Sequence, residues 1–417
     1  MVAGLGLASA LLLAPMDAAA CSCVPIDPWE AYARSEAAIV GVYAGKRGPT
    51  TYVFRVEEDY KAELPGELEI QSAEYGASCG IEARVGQRLG LFLARDGDRW
   101  ASNLCSQARP EQVRIAARGL PEPNGKGPIR FLVGGGFGPA RVQALDAAGR
   151  TLAYGRGEGK VSALAVCPGS RRSVELTGPR LGVRDLRSFR LLREVAIRLR
   201  GEYAADVHCS GRDAFAALIG EDRTRIVRVR GRDVKTIRLA GQPAVAFFGR
   251  YAYLSDRRRI FSLDLRSGAT RELTDFAAEQ LAVSPDGTLL AALTGNRLVV
   301  VRLRGRPAVL QGPFLTKQAM RLVWDRRRLA VLGWDGGEVY DERLRLRGKL
   351  PSWGVSDAVG LGGRIAGVGY GTLRVARMPR GPVRVLRDLV SPSTFAIAAV
   401  DRGPNIRLAG SVRCARG

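Results

Sequence analysis

Apolar residues along the chain alternate with polar ones far more often than they recur at helical spacing. Runs such as AAIVGVYAG, TYVFRVEEDY and GQRLGLFLARDGDRW read as strands, because alternate side chains of a strand face opposite ways. Short helices are expected in only two places. Asp27 can cap a helix opened by Pro28 with Glu30 in its first turn, and ARPEQVRIAARG carries Pro110 near its start and Gly119 as its stop.

Beyond Gly119 the strand pattern repeats. LAVCPGSRRSVEL from Leu164, ADVHCSGRDAFAALI from Ala205 and LAVSPDGTLLAALTGNRLVVVRL from Leu281 each give a strand, a Gly-centred turn and a second strand. Shorter relatives begin at Ala244, Arg321 and Asp357. Cuts at 160–201, 202–241, 242–277, 278–317, 318–353 and 354–394 give lengths typical of four-stranded propeller blades. FAIAAV and NIRLAG near the C-terminus, joined with FLVGGG, ARVQALD and TLAYG from Phe131, supply one more blade. That blade closes a ring of seven from both ends of the repeat region, leaving only short sheet edges exposed. The Ser284-Pro-Asp-Gly287 turn resembles those of the WD-type and YVTN-type propeller families, which implies a fold and no particular ligand.

The first residues read as a targeting segment. Met1–Pro15 is an apolar run of signal-peptide length, and Ala18-Ala19-Ala20 supplies the small residues of a cleavage site. It is too short to span a bilayer, and no other segment is long and apolar enough to do so. The expected organisation is a signal peptide over 1–20, a barrel module over 21–119, a turn-rich linker over 120–129 and a propeller over 130–417. The fold class is therefore all-β, and the expected location is secreted or cell-surface.

Charge divides along the same boundary. The whole chain carries +23, with 64 Lys+Arg against 41 Asp+Glu, and 57 of those cations are Arg. Residues 21–120 are net −2 and residues 121–417 are net +26. Two runs, Arg257-Arg258-Arg259 and Arg326-Arg327-Arg328, are candidates for a basic rim that binds an anionic cell-envelope polymer. No aromatic interleaving and no recognition helix accompany them, so sequence-specific nucleic-acid reading is not expected. The single His208 excludes sites needing two imidazoles. Gly134-Gly135-Gly136 follows a strand with no helix to receive a phosphate, so no nucleotide loop, catalytic group, intrinsic metal or cofactor is expected.

Seven cysteines remain. Cys167 and Cys209 occupy equivalent places in successive repeats, where they either bridge neighbouring blades or are buried as small apolar residues. Cys414 is the odd one out. Cys21, Cys23, Cys79 and Cys105 belong to the barrel module and by themselves allow three pairings.

The mature start Cys21-Ser22-Cys23-Val24-Pro25-Ile26-Asp27-Pro28, with Cys79-Gly80, the Phe92–Gly97 run and Cys105, resembles the netrin-like domain of tissue inhibitors of metalloproteinases. The resemblance implies an OB-type barrel and the pairs Cys21–Cys79 and Cys23–Cys105. It also implies that the free α-amine and carbonyl oxygen of Cys21 chelate the zinc of a partner protease while Ser22 enters the adjoining pocket. An α-amine near pKa ~8 keeps a useful neutral fraction at pH 7 for the open position of such a zinc. The family's cysteine at the position of Ala33 is missing here. A competing fate is lipidation of Cys21 behind Ala-Ala-Ala, which forbids its disulfide. The expected function is a non-enzymatic binding protein with an extracellular or envelope partner. The alternatives are an adhesion scaffold holding anionic polymer, and an enzyme using the propeller funnel.

Overall fold

The computed structural model describes residues 27–400 apart from short stretches at 138–139, 158, 222, 242–243, 257, 306, 316–318, 334–335, 352–355, 370–371 and 389–395. The expected signal peptide, Cys21, Ser22, Cys23, NIRLAG and Cys414 lie outside the described residues. The chain forms two compact units. One runs from Arg34 to Val113; the other comprises residues from Arg114 onward together with the helix beginning at Pro28, up to Ala33.

The first unit is a closed five-stranded barrel. Its strands are β1 (Ala37–Lys46), β2 (Thr51–Tyr60), β3 (Glu67–Gln71), β4 (Arg88–Asp96) and β5 (Arg99–Ala101), with a two-residue β6 (Gln107–Ala108) added beside β4. The order β1-β2-β3-β5-β4 closes through β1 against β4, and β3 runs parallel to β5. This is the OB-type topology. Closure needs a strand long enough to pair on both sides. β1 does this, with its register against β2 shifting at Val40/Gly41 and Tyr43/Gly45 as the strand coils. Ile39, Phe54, Ile70 and Leu91 are fully buried inside. Gly90 lets the backbone of β4 approach Val113, since a Cβ there would lie 2.4 Å from the valine methyl.

The second unit is a seven-bladed propeller of four-stranded antiparallel meanders. Six blades follow in chain order at 161–196, 203–240, 244–274, 280–314, 321–350 and 357–388. The seventh sets Ala396–Ala399 innermost beside Phe131–Phe137, Ala140–Leu145 and Thr151–Arg156, so both ends of the repeat region close the ring. All-β architecture, the barrel, the blade count and the closure agree with the sequence expectation. The helix Pro28–Arg34 is capped as expected, Asp27 Oδ1 accepting the Trp29 N–H at 2.9 Å. Trp29 packs with Phe131 and Val133 of the closing blade. The turn-rich stretch before that blade is anchored too: the Gly125 N–H donates to the Thr151 carbonyl and Ile129 is fully buried.

An ionic network ties the closing blade to the first. Glu175, fully buried, accepts from Arg141 at 2.8 Å and from Arg184 at 2.9 and 3.1 Å. Arg141 also lies 2.7 Å from Glu194, which pairs outward with Arg180 at 3.0 Å. Gly155 and Gly157 make room, because a Cβ at either would come within 2.7 Å of a guanidinium.

Candidate functional site

In the barrel, the two described cysteines stand on neighbouring turns. Cys79 ends the turn Gly76–Ser78 in a left-handed conformation, and Cys105 sits in the turn Leu104–Ser106, where Asn103 Oδ1 accepts the Ser106 N–H at 2.9 Å. The Leu104 N–H donates to the Cys79 carbonyl at 2.9 Å, so the two turns are hydrogen-bonded together. Gly80 is required there, since a Cβ would fall 2.2 Å from the Ala73 carbonyl oxygen. Both Cys79 and Cys105 are disulfide-bonded, while the residues expected as their partners lie outside the described ones. Beside these turns an open cleft of about 1000 Å³ is lined by Tyr43, Glu74, Ile81, Val85, Leu104 and Gln107. Tyr75 and Val85, 61% and 74% exposed, give this part of the barrel an apolar surface that folding alone does not use.

In the propeller, Cys167 and Cys209 form a disulfide between the first and second blades, with Cα atoms 5.2 Å apart. They pair because each immediately precedes or lies in the first hairpin of its blade, so equivalent positions meet across the blade interface. Closing a loop of this separation, 42 residues, stabilises by roughly 3–4 kcal/mol on the chain-entropy account. His208 stacks on Phe247 with centroids 5.4 Å apart, and its Nε2 donates to the Gly249 carbonyl at 2.9 Å. Burial holds its pKa below the ordinary histidine value. The imidazole is a neutral packing element between two blades.

The two arginine runs do not share a rim. The blades repeat one meander, and their innermost strands lie side by side round the ring. First-to-second and third-to-fourth turns therefore emerge on one face, and second-to-third turns on the other. Arg258 and Arg259 occupy a second-to-third turn of the third blade, whereas Arg326–Arg328 occupies a first-to-second turn of the fifth. Arg257 is outside the described residues. Arg259 is also neutralised, at 2.6 Å from Glu272 and 3.4 Å from Asp256. Arg328 donates to the Met378 carbonyl, and Arg327 reaches Glu342 at 4.0 Å.

Two features escaped the sequence reading. One is a cavity lined by seven arginines across the first three blades. The other is a charged group in the central channel, where Asp206, Arg321 and Asp357 come from the innermost strands of the second, fifth and sixth blades. Arg321 Nη2 lies 3.1 Å from Asp357 Oδ1, and the Ile397 N–H donates to the other oxygen at 3.0 Å. Among the described residues Asp206 accepts only from its neighbour, the Val207 N–H, at 2.8 Å. Enclosure by protein pushes its pKa up to about 7, with Val207 and Arg321 opposing and Asp357 adding to the rise.

This shift has a sign in stability. An unfolded Asp releases its proton near pH ~4. Between there and pH 7 the folded chain holds a proton that the unfolded chain has lost, so stability falls as pH rises. Asp206→Asn abolishes that slope. Its stability relative to the parent should improve by about 2 kcal/mol from pH 5 to pH 8 in urea melts. Parallel profiles for the two proteins contradict the burial of a protonated carboxyl.

No family model matches the sequence, and no curated protein matches it. Among solved structures, a candidate 6-phosphogluconolactonase from Bacteroides uniformis matches 66% of this chain and 100% of its own, at 13% identity and TM-score 0.52. Apo AztD from Citrobacter koseri matches 66% and 98%, at 11% identity and TM-score 0.48. BamB from Moraxella catarrhalis matches 62% and 83%, at 15% identity and TM-score 0.42. At such identities the likeness concerns the fold alone.

Proposed function

We propose that the chain is an exported, non-enzymatic binding protein that docks its first mature residue, Cys21, on the zinc of a metalloprotease. The propeller then serves as a second binding surface. The observation that carries this reading is the pair of hydrogen-bonded turns bearing disulfide-bonded Cys79 and Cys105. Two cysteines one residue apart in extended chain are separated by about 7 Å, a spacing suited to two adjacent anchor points. Anchored in that way, the α-amine and carbonyl of Cys21 are held rigidly as a bidentate ligand, and the small Ser22 side chain leads into a pocket. The OB-type barrel supports the netrin-like resemblance, and the apolar Tyr75 and Val85 offer further contact area. The commitment of the lone histidine to packing supports a role without chemistry of its own.

Mass spectrometry of the exported protein tests the premise. The expected amino-terminal peptide begins at Cys21, carries a free amine and is disulfide-linked to Cys79, with Cys23 linked to Cys105. A residue left ahead of Cys21, a diacylglyceryl thioether on its sulfur or an acylated amine refutes it.

A further inference from the structure

The arginine-lined cavity of the propeller has a composition that packing does not explain. It encloses about 1220 Å³ on the face carrying the first-to-second turns. Its guanidinium groups come from Arg172 and Arg193 of the first blade, Arg212, Arg228 and Arg230 of the second, and Arg250 and Arg266 of the third. Two carboxylates answer them. Asp213 is taken by Arg228 at 2.6 Å and Arg230 at 2.6 Å, and Asp264 lies 3.1 Å from Arg250. Arg172, Arg193, Arg212 and Arg266 have no carboxylate within salt-bridge distance among the described residues, and the Nε of Arg193 is buried without a hydrogen-bond partner.

Arg172, Arg212 and Arg266 are exposed and Arg193 is half-buried, so water solvates most of this charge, but like charges gathered in one hollow create a positive potential that draws anions. The guanidinium fork matches the oxygens of phosphate bidentately, and four such groups spread round one cavity suit several oxyanions better than one. Between the arginines lies the carbon surface of Leu192, 53% exposed, while Val183 and Leu265 at the wall are buried. The aromatic ring at the wall, Phe215, is buried at 3% exposure and offers no platform for stacking a base. We propose that this cavity binds a polyol-phosphate chain, a polymer of phosphodiester anions separated by short carbon units. The proposal rests on reading the propeller as a binding surface, and it names the ligand class and the residues.

The test uses the full exported chain and poly(glycerol phosphate) as probe, with hyaluronate and single-stranded DNA as comparison polyanions, titrated over a range of salt. Arg212→Gln/Arg266→Gln removes two exposed, unpaired guanidiniums. Arg343→Gln/Arg345→Gln removes equal charge from a second basic hollow on the same face, which is about 510 Å³ and holds Asp341 and Glu342. The cavity variant should weaken binding at least about tenfold and flatten the slope of log K against log salt by about 1.5. The control should lose less than about threefold. Equal losses for both variants, no binding by the parent, or equally tight binding of hyaluronate or DNA each overturn the proposal. A chain extended by one residue ahead of Cys21 should bind the probe as the parent does, which separates this test from that of zinc docking.

Discussion

Replacing Glu175 with Ala lowers the stability of the propeller by about 3–5 kcal/mol, a fall in melting temperature on the order of 10 °C. Glu175 has no exposure, and its two partners, Arg141 and Arg184, are 3% and 1% exposed. Taking the carboxylate away leaves Arg184 without a counter-charge in a low-dielectric interior, while Arg141 keeps only Glu194 at 2.7 Å, and the loss is mostly the cost of that uncompensated charge. Arg184 keeps the Phe189 and Arg156 carbonyls as acceptors at 3.0 and 3.2 Å, which softens the penalty but does not supply a counter-charge. Because Arg141 belongs to the closing blade and Glu175 to the first, the damage falls on the joint that shuts the ring. The matched control is Arg47→Ala in the barrel. Arg47 contacts Glu67 and Glu69 with its side chain 60% exposed, so its loss should cost under about 1 kcal/mol. Similar melting curves for the two variants contradict the structural weight given to the network.

The contrast marks where the sequence was legible. Blades could be read because each repeats a short alternating strand and a tight turn, a signal local to a few residues. The pairing of Cys167 and Cys209 was legible in part for the same reason: equivalent positions in successive repeats land beside one another, which left a bridge and simple burial both open until the structure showed the bridge. β3 was not singled out, because a five-residue strand with only Leu68 and Ile70 inward leaves a weak pattern. Glu175 alternates like any outward-facing strand charge, and only ring closure buries it between two arginines.

Local charge misled for the candidate rim. Of the conspicuous runs, Arg258–Arg259 and Arg326–Arg328 lie at turns of opposite faces, and Arg259 and Arg328 are spent on neighbours. The cavity that concentrates cations is assembled from residues far apart in sequence, from Arg172 to Arg266, with no run to reveal it. Asp206 was hidden similarly, since its raised pKa comes first from desolvation in the folded chain and then from Asp357 of a distant blade, neither of which leaves a local pattern.

The account turns on the free amino group of Cys21, and one extra residue ahead of it tests that directly. The cleaved chain and a form beginning Ala-Cys21 are compared as inhibitors of a secreted zinc endopeptidase. Extension converts the amine into an amide, which lacks a lone pair for zinc, and drives a residue into space the metal should occupy. The barrel and its disulfides are untouched, so equal melting temperatures show that only the ligand has changed. Inhibition by the native form, weakened at least about 100-fold (~3 kcal/mol) by the extension, is the predicted result. No inhibition by the native form, or equal inhibition by both, contradicts the zinc-docking reading.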